Sequence, residues 1–151
     1  MRKLALAGLA TIGIATSALA IEPGNWESTS RMVDIEVPAD MPPQVADMMR
    51  QMLGGEGMTN RSCVTQEDLD NAPERLFAES DGECEYTEFD MSAGTMRGVA
   101  RCNSDAGTMT MTMDGTYADT TYEGTMRMQG DMGMGPTTMV FDVAGTRLGD
   151  C

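Results

Sequence analysis

Four cysteines (Cys63, Cys84, Cys102 and Cys151) and 17 methionines carry most of the side-chain chemistry in this 151-residue chain. Thiols pair as disulfides in an oxidising compartment, and an even count in a small exported domain predicts a disulfide framework. Their wide spacing fits no zinc motif, and the chain has no histidine to complete one. Methionine thioethers are soft ligands suited to Cu(I). The sulfurs of Met109, Met111, Met126 and Met128 could form such a cluster on one pair of strands. The same alternation fits burial, because methionine fills irregular core space where branched aliphatics are scarce. The core reading is preferred, with a Cu(I) carrier as the alternative.

Catalysis has little to work with. No histidine occurs, and the only lysine is Lys3. That removes the commonest general base, the Schiff-base amine and every histidine-dependent triad. Carboxylates are plentiful, but no pair is singled out by spacing. Neither a phosphate loop nor an EF-hand loop is present, since the acids between Asp114 and Glu123 lack calcium-loop spacing. The expectation is a non-enzyme without a cofactor.

The N-terminus places the chain in the cell. Met1-Arg2-Lys3, a mostly apolar run from Leu4 to Ala15 and the small-x-small end Ala18-Leu19-Ala20 form a secretory signal peptide, residues 1–20, cleaved after Ala20. The run is too short to span a bilayer. No other stretch is apolar enough, so no membrane span is expected. The remainder, 21–151, suits one disulfide-linked domain in the periplasm. Losing Arg2 and Lys3 takes the formal charge from −14 to −16. So acidic a surface repels nucleic acid and anionic membrane.

The elements that must position these residues are mainly β. Glu27–Val37 reads as a first strand, with Trp26 at its entry, and Met58–Val64 as a second. Between them Pro42-Pro43 opens a helix and Gly54-Gly55 closes it. Val45, Met48, Met49, Met52 and Leu53 make one apolar stripe on that helix. Thr65 to Asp68 resembles a capping box before a second short helix. From Glu83 onward the pattern is an antiparallel meander, a curved sheet or partly closed barrel, ending in a strand near Thr137–Arg147. A three-residue loop Ser92-Ala93-Gly94 would set Met91 opposite Thr95. It would also bring Cys84 opposite Cys102, within disulfide range. By elimination Cys63 pairs with Cys151. A turn at Ala118-Asp119 would pair Met111 with Met126 and Met109 with Met128. It gathers Met109, Met111, Met113, Tyr117, Tyr122, Met126 and Met128 on one face, but leaves Asp114 opposite Glu123.

Several landmarks occur together: Pro23-Gly24-Asn25-Trp26-Glu27, Cys63-Val64-Thr65, a hairpin bracketed by Cys84 and Cys102, a Thr-Met-Thr-Met-Thr-Met strand and a terminal Arg147-Leu148-Gly149-Asp150-Cys151. In this order they resemble the bacterial exported family catalogued as domain of unknown function 3617. The resemblance implies an envelope protein of Gram-negative bacteria with no assigned activity and no catalytic residues to carry over. The expected function is a non-catalytic binding domain for an apolar small molecule or another envelope protein. The Val45–Leu53 helix is its candidate binding element, flanked by Pro42-Pro43 and Gly54-Gly55 as hinges.

Overall fold

The computed structural model describes residues 20–55, 57–71, 84–104, 107–131 and 135–151. Of the expected signal peptide, residues 1–20, all but Ala20 lie outside the described residues. Seven strands form one antiparallel sheet: β1 (Gly24–Glu36), β2 (Met58–Val64), β3 (Cys84–Ser92), β4 (Thr95–Ser104), β5 (Gly107–Tyr117), β6 (Thr121–Asp131) and β7 (Pro136–Gly149). Helix α1 (Pro43–Leu53) joins β1 to β2, and α2 (Gln66–Asn71) follows β2. The strand order is β2-β1-β7-β6-β5-β4-β3. The last five strands are therefore a meander, as expected, and β1 adds beside β7 to extend it.

Alternation decides which side is buried. On β5, Met109, Met111, Met113 and Tyr117 are buried, while Thr108, Thr110, Thr112 and Thr116 face the other way. The inward side chains form two clusters. One joins Trp26 of β1 and Val64 of β2 to Met96, Met113, Tyr117 and Tyr122, with Phe89 and Met91 of β3 packed against it. Side chains from both edge strands thus share one core, so the sheet curls on itself without closing. Curling of this kind demands small residues where backbones and rings approach. A Cβ on Gly145 would overlap the Tyr122 ring. That ring cannot retreat: it stacks on Trp26 at 5.8 Å, and its hydroxyl donates to Ser28 Oγ at 2.6 Å. Ile21 enters the same cluster, just after Ala20.

Both hairpins differ from expectation in their turns while keeping their faces. In the first, Ser92 pairs with Thr95 around a two-residue loop. Ala93 and Gly94 both have positive φ (50° and 80°), the requirement of a type I′ turn. That shifts the pairing by one, and a bulge between Tyr86 and Glu88 shifts it back. Cys84 therefore still meets Cys102. In the second hairpin, the Ala118 N–H donates to the Thr121 carbonyl, so the turn is Asp119-Thr120. Met111 then pairs with Met128 and Met113 with Met126, while Met109 faces Gly130. The displacement along the partner strand is two residues, which preserves the inward face. Its cause is tertiary, because the turn's carbonyls are used elsewhere. Glu22 N–H donates to Asp119 and Arg147 N–H to Thr120. Asp114 now opposes Thr125 and pairs with Arg97 at 2.7 Å, which removes the Asp114–Glu123 conflict.

Two disulfides fasten the sheet. Cys84–Cys102 bridges neighbouring strands, with a Cα separation of 3.9 Å. Cys63–Cys151 ties β2 to the segment beyond β7, across the end of β1. The second helix begins as its sequence suggests. The Thr65 hydroxyl and N–H both donate to the Asp68 carboxylate, and the Asp68 N–H donates back to Thr65 Oγ1.

Candidate functional site

Sorting the chemistry-bearing residues by where the fold puts them separates core from candidate site. All four cysteines are oxidised. Met109 and Met111 are buried with Ile35, Ala100, Cys102 and Met139, and Met126 and Met128 pack against that cluster. Those four methionines, the candidate Cu(I) set, therefore share a packed interior with aliphatic and aromatic neighbours. Among the described residues, no group of three or more His, Cys, Asp or Glu side chains is placed to hold a metal ion.

Helix α1 behaves differently. It starts without a side-chain cap, with Pro43 in its first turn, and stops where the Gly54 N–H donates to the Arg50 carbonyl at 2.9 Å. The stripe Val45, Met48, Met49, Met52 and Leu53 does not all turn inward. Ala46 is buried and Met49 packs against the methionine cluster, so these two make the contact with the sheet. Val45, Met48 and Met52 point away, at 40%, 56% and 76% exposure. The Leu53 side chain lies outside the described residues. Steric supply explains the split: the curled sheet fills its interior with its own methionines and aromatics, leaving room for only one edge of the helix.

The ground around α1 extends this surface. β2 pairs with β1 only as far as Ser30, so Arg31–Glu36 has a strand partner on the β7 side alone. A bulge between Met32 and Asp34 turns Val33 outward, 46% exposed. The Ile35 N–H donates to the carboxylate of Asp34 at 2.9 Å, which caps part of this edge against strand addition. A small hollow of about 130 Å³ lies between the β1 bulge and the end of α1, lined by Met32, Val33, Ile35 and Gly54 with Asp34 and Arg50 at its polar side. It adjoins open ground of about 680 Å³ lined by Arg31, Met32, Val33, Gly54 and Gly55, so the space beside α1 is exposed rather than the enclosed cleft of ~300 Å³ or more that buries a small molecule. Met58, at the start of β2, is also exposed. Asp47 holds Arg50 at 3.0 Å, and Asp34, Glu36 and Asp40 stand nearby along the chain. The face is thus apolar in the middle, with charges of both signs, Asp34, Arg31 and the Asp47–Arg50 pair, beside it.

Sequence reasoning missed a second concavity, on the opposite face of the sheet. This open trough of about 670 Å³ is lined by Thr29, Arg31, Thr116, Glu123, Thr125 and Asp142 among others. Its Arg31–Asp142 pair spans 3.9 Å with both side chains well exposed, which gives little binding or stabilising energy. Only outward threonines on alternating strands signalled it, and they also fit a solvated sheet face. No helix among the described residues is long and apolar enough to cross a membrane.

The family described as protein of unknown function (DUF3617) matches residues 21–151. No curated protein and no solved structure matches the chain. The chain belongs to that family.

Proposed function

We propose that this family member is an exported, non-catalytic domain of the bacterial envelope that binds another protein through the outer face of α1. The observation that carries the reading is the orientation of the helix. Val45, Met48 and Met52 lie on the solvent side, while Ala46 and Met49 make the contact with the sheet. Contiguous apolar surface on a soluble protein marks an interaction site, and methionine-rich surfaces adapt to partner shape. Beside the helix lie a hollow of about 130 Å³ and an open concavity of about 680 Å³, and neither is an enclosed apolar pocket, which favours a protein partner over an apolar small molecule. The strong net negative charge of the chain favours a partner whose apolar patch is ringed by lysine or arginine. Two disulfides support an oxidising compartment, in keeping with the basic and apolar leader ending at Ala20.

A photo-crosslinking residue in place of Met52, compared with one in place of Thr112 on the opposite face, tests this in cells. A discrete adduct of one mass is expected from position 52 alone, weakened by Met48→Asp and by high salt. No adduct, or the same adducts from both positions, overturns the reading.

A further inference from the structure

Among the described residues, the methionines run from buried through half-buried to exposed. Met96, Met109, Met111, Met113 and Met139 are all below 9% exposure. Met48, Met52 and Met58, within the single segment from α1 to the start of β2, are 56%, 76% and 66% exposed. A thioether is a two-electron reductant wherever an oxidant can reach its sulfur. An exported protein meets such oxidants without the reducing systems of the cytosol around it.

We propose that Met48 and Met52 on α1 and Met58 at the start of β2 are oxidised reversibly, and that oxidation of the methionines on α1 controls its apolar face. A hydroperoxide is the oxidant class. Its terminal oxygen is transferred to the methionine sulfur as the O–O bond breaks. The sulfur gives up two electrons to form the sulfoxide, and hydrogen peroxide leaves as one water. Each event replaces an apolar thioether with a strong dipolar acceptor. On a core methionine this would place an unsatisfied polar oxygen among apolar neighbours and disrupt packing. At the three exposed positions water solvates the new oxygen, so the fold persists while the face loses its apolar character. Methionine sulfoxide is reducible enzymatically, which makes the change a switch rather than damage. The two disulfides are already oxidised and do not compete for peroxide. The control of docking rests on the proposed function above. The selective oxidation does not.

The experiment treats the folded, disulfide-intact exported protein with graded hydrogen peroxide and maps sulfoxide at each methionine by peptide mass, with a melting curve at every dose. Met48, Met52 and Met58 should oxidise about tenfold or more faster than Met96, Met109, Met111, Met113 and Met139, in line with their exposure. The melting temperature should hold until the core residues react. Equal rates in the two groups, or unfolding that accompanies oxidation of the three, overturns the site. The position-52 crosslink adduct should fall with oxidation and return after treatment with methionine sulfoxide reductases. In Met48→Leu, Met58→Leu protein, where the remaining apolar volume is kept, the adduct should resist peroxide. An adduct equally sensitive in that variant overturns the control of docking. Absence of any adduct from untreated protein removes the docking role, while the sulfoxide map still decides the oxidation site.

Discussion

Replacing both Cys63 and Cys151 with alanine isolates what a long covalent loop contributes to this fold. The bridge closes 88 residues of separation, and both cysteines are exposed, so their removal leaves no cavity. In the chain-entropy account, denying the unfolded chain a loop of that length is worth about 4.5 kcal/mol. The Cys84–Cys102 bridge closes only 18 residues, for which the same relation gives about 3 kcal/mol, plus packing because Cys102 lies in the core. Single domains are stable by only ~5–15 kcal/mol in total, so loss of the first bridge should leave a marginal protein. Urea unfolding at neutral pH, fitted as a two-state transition, measures the loss directly. A lower midpoint is expected, together with a rise in the urea dependence as the unfolded chain expands. A loss of less than about 1 kcal/mol would refute the reasoning. It would mean that β2 and the C-terminus are held by other contacts, notably the Arg147 guanidinium donating to the Pro23 carbonyl and to Asp150.

Three further outcomes follow from the geometry. Met49→Asp should cost about 2–3 kcal/mol because it puts a charge against the methionine cluster, whereas Met52→Asp on the same helix should stay within about 0.5 kcal/mol; paired urea curves check this. Gly145→Ala should cost about 1–3 kcal/mol, since its methyl group overlaps a Tyr122 ring fixed by Trp26 and Ser28, and a melting curve reads the effect. Cu(I) supplied under reducing conditions should bind the native protein no more tightly than its urea-unfolded form in a chelator competition; a tight native site lost in Met109→Leu, Met111→Leu protein would show that the buried thioethers are ligands.

Which parts of this structure the sequence could reveal depended on how locally each was determined. The strand Thr108 to Met113 announces itself, because strict alternation admits only one inward face. The capping box at Thr65 and Asp68 is equally local. Turn positions are not. The second hairpin turns at Asp119-Thr120 because Glu22 and Arg147, remote in the chain, use those two carbonyls. The first tightens to Ala93-Gly94 because a bulge at Thr87 absorbs the extra residue, and no sequence pattern near Thr87 marks it. Helix α1 shows the limit most clearly. Periodicity locates an apolar stripe but carries no information on how much interior remains for it. That depends on how tightly seven strands curl, and so on glycines such as Gly145 far down the chain.

The same geometry explains why an apolar helix face can persist outside the core. Hydrogen-bonded strands and two disulfides hold the curled sheet, and α1 touches β1 only sparsely. Stability therefore constrains Ala46 and Met49 but leaves Val45, Met48 and Met52 nearly free to vary. Singly exposed apolar residues are ordinary on a protein surface, whereas three on one helix face form a contiguous patch. A strong net negative charge opposes self-association of the exposed patch without hiding it from a cationic partner. Flexible methionine rather than branched aliphatics at positions 48 and 52 fits contact with a partner better than fixed packing against the sheet. The same choice exposes those sulfurs to oxidants, so the proposed docking face and the proposed oxidation site rest on one physical arrangement.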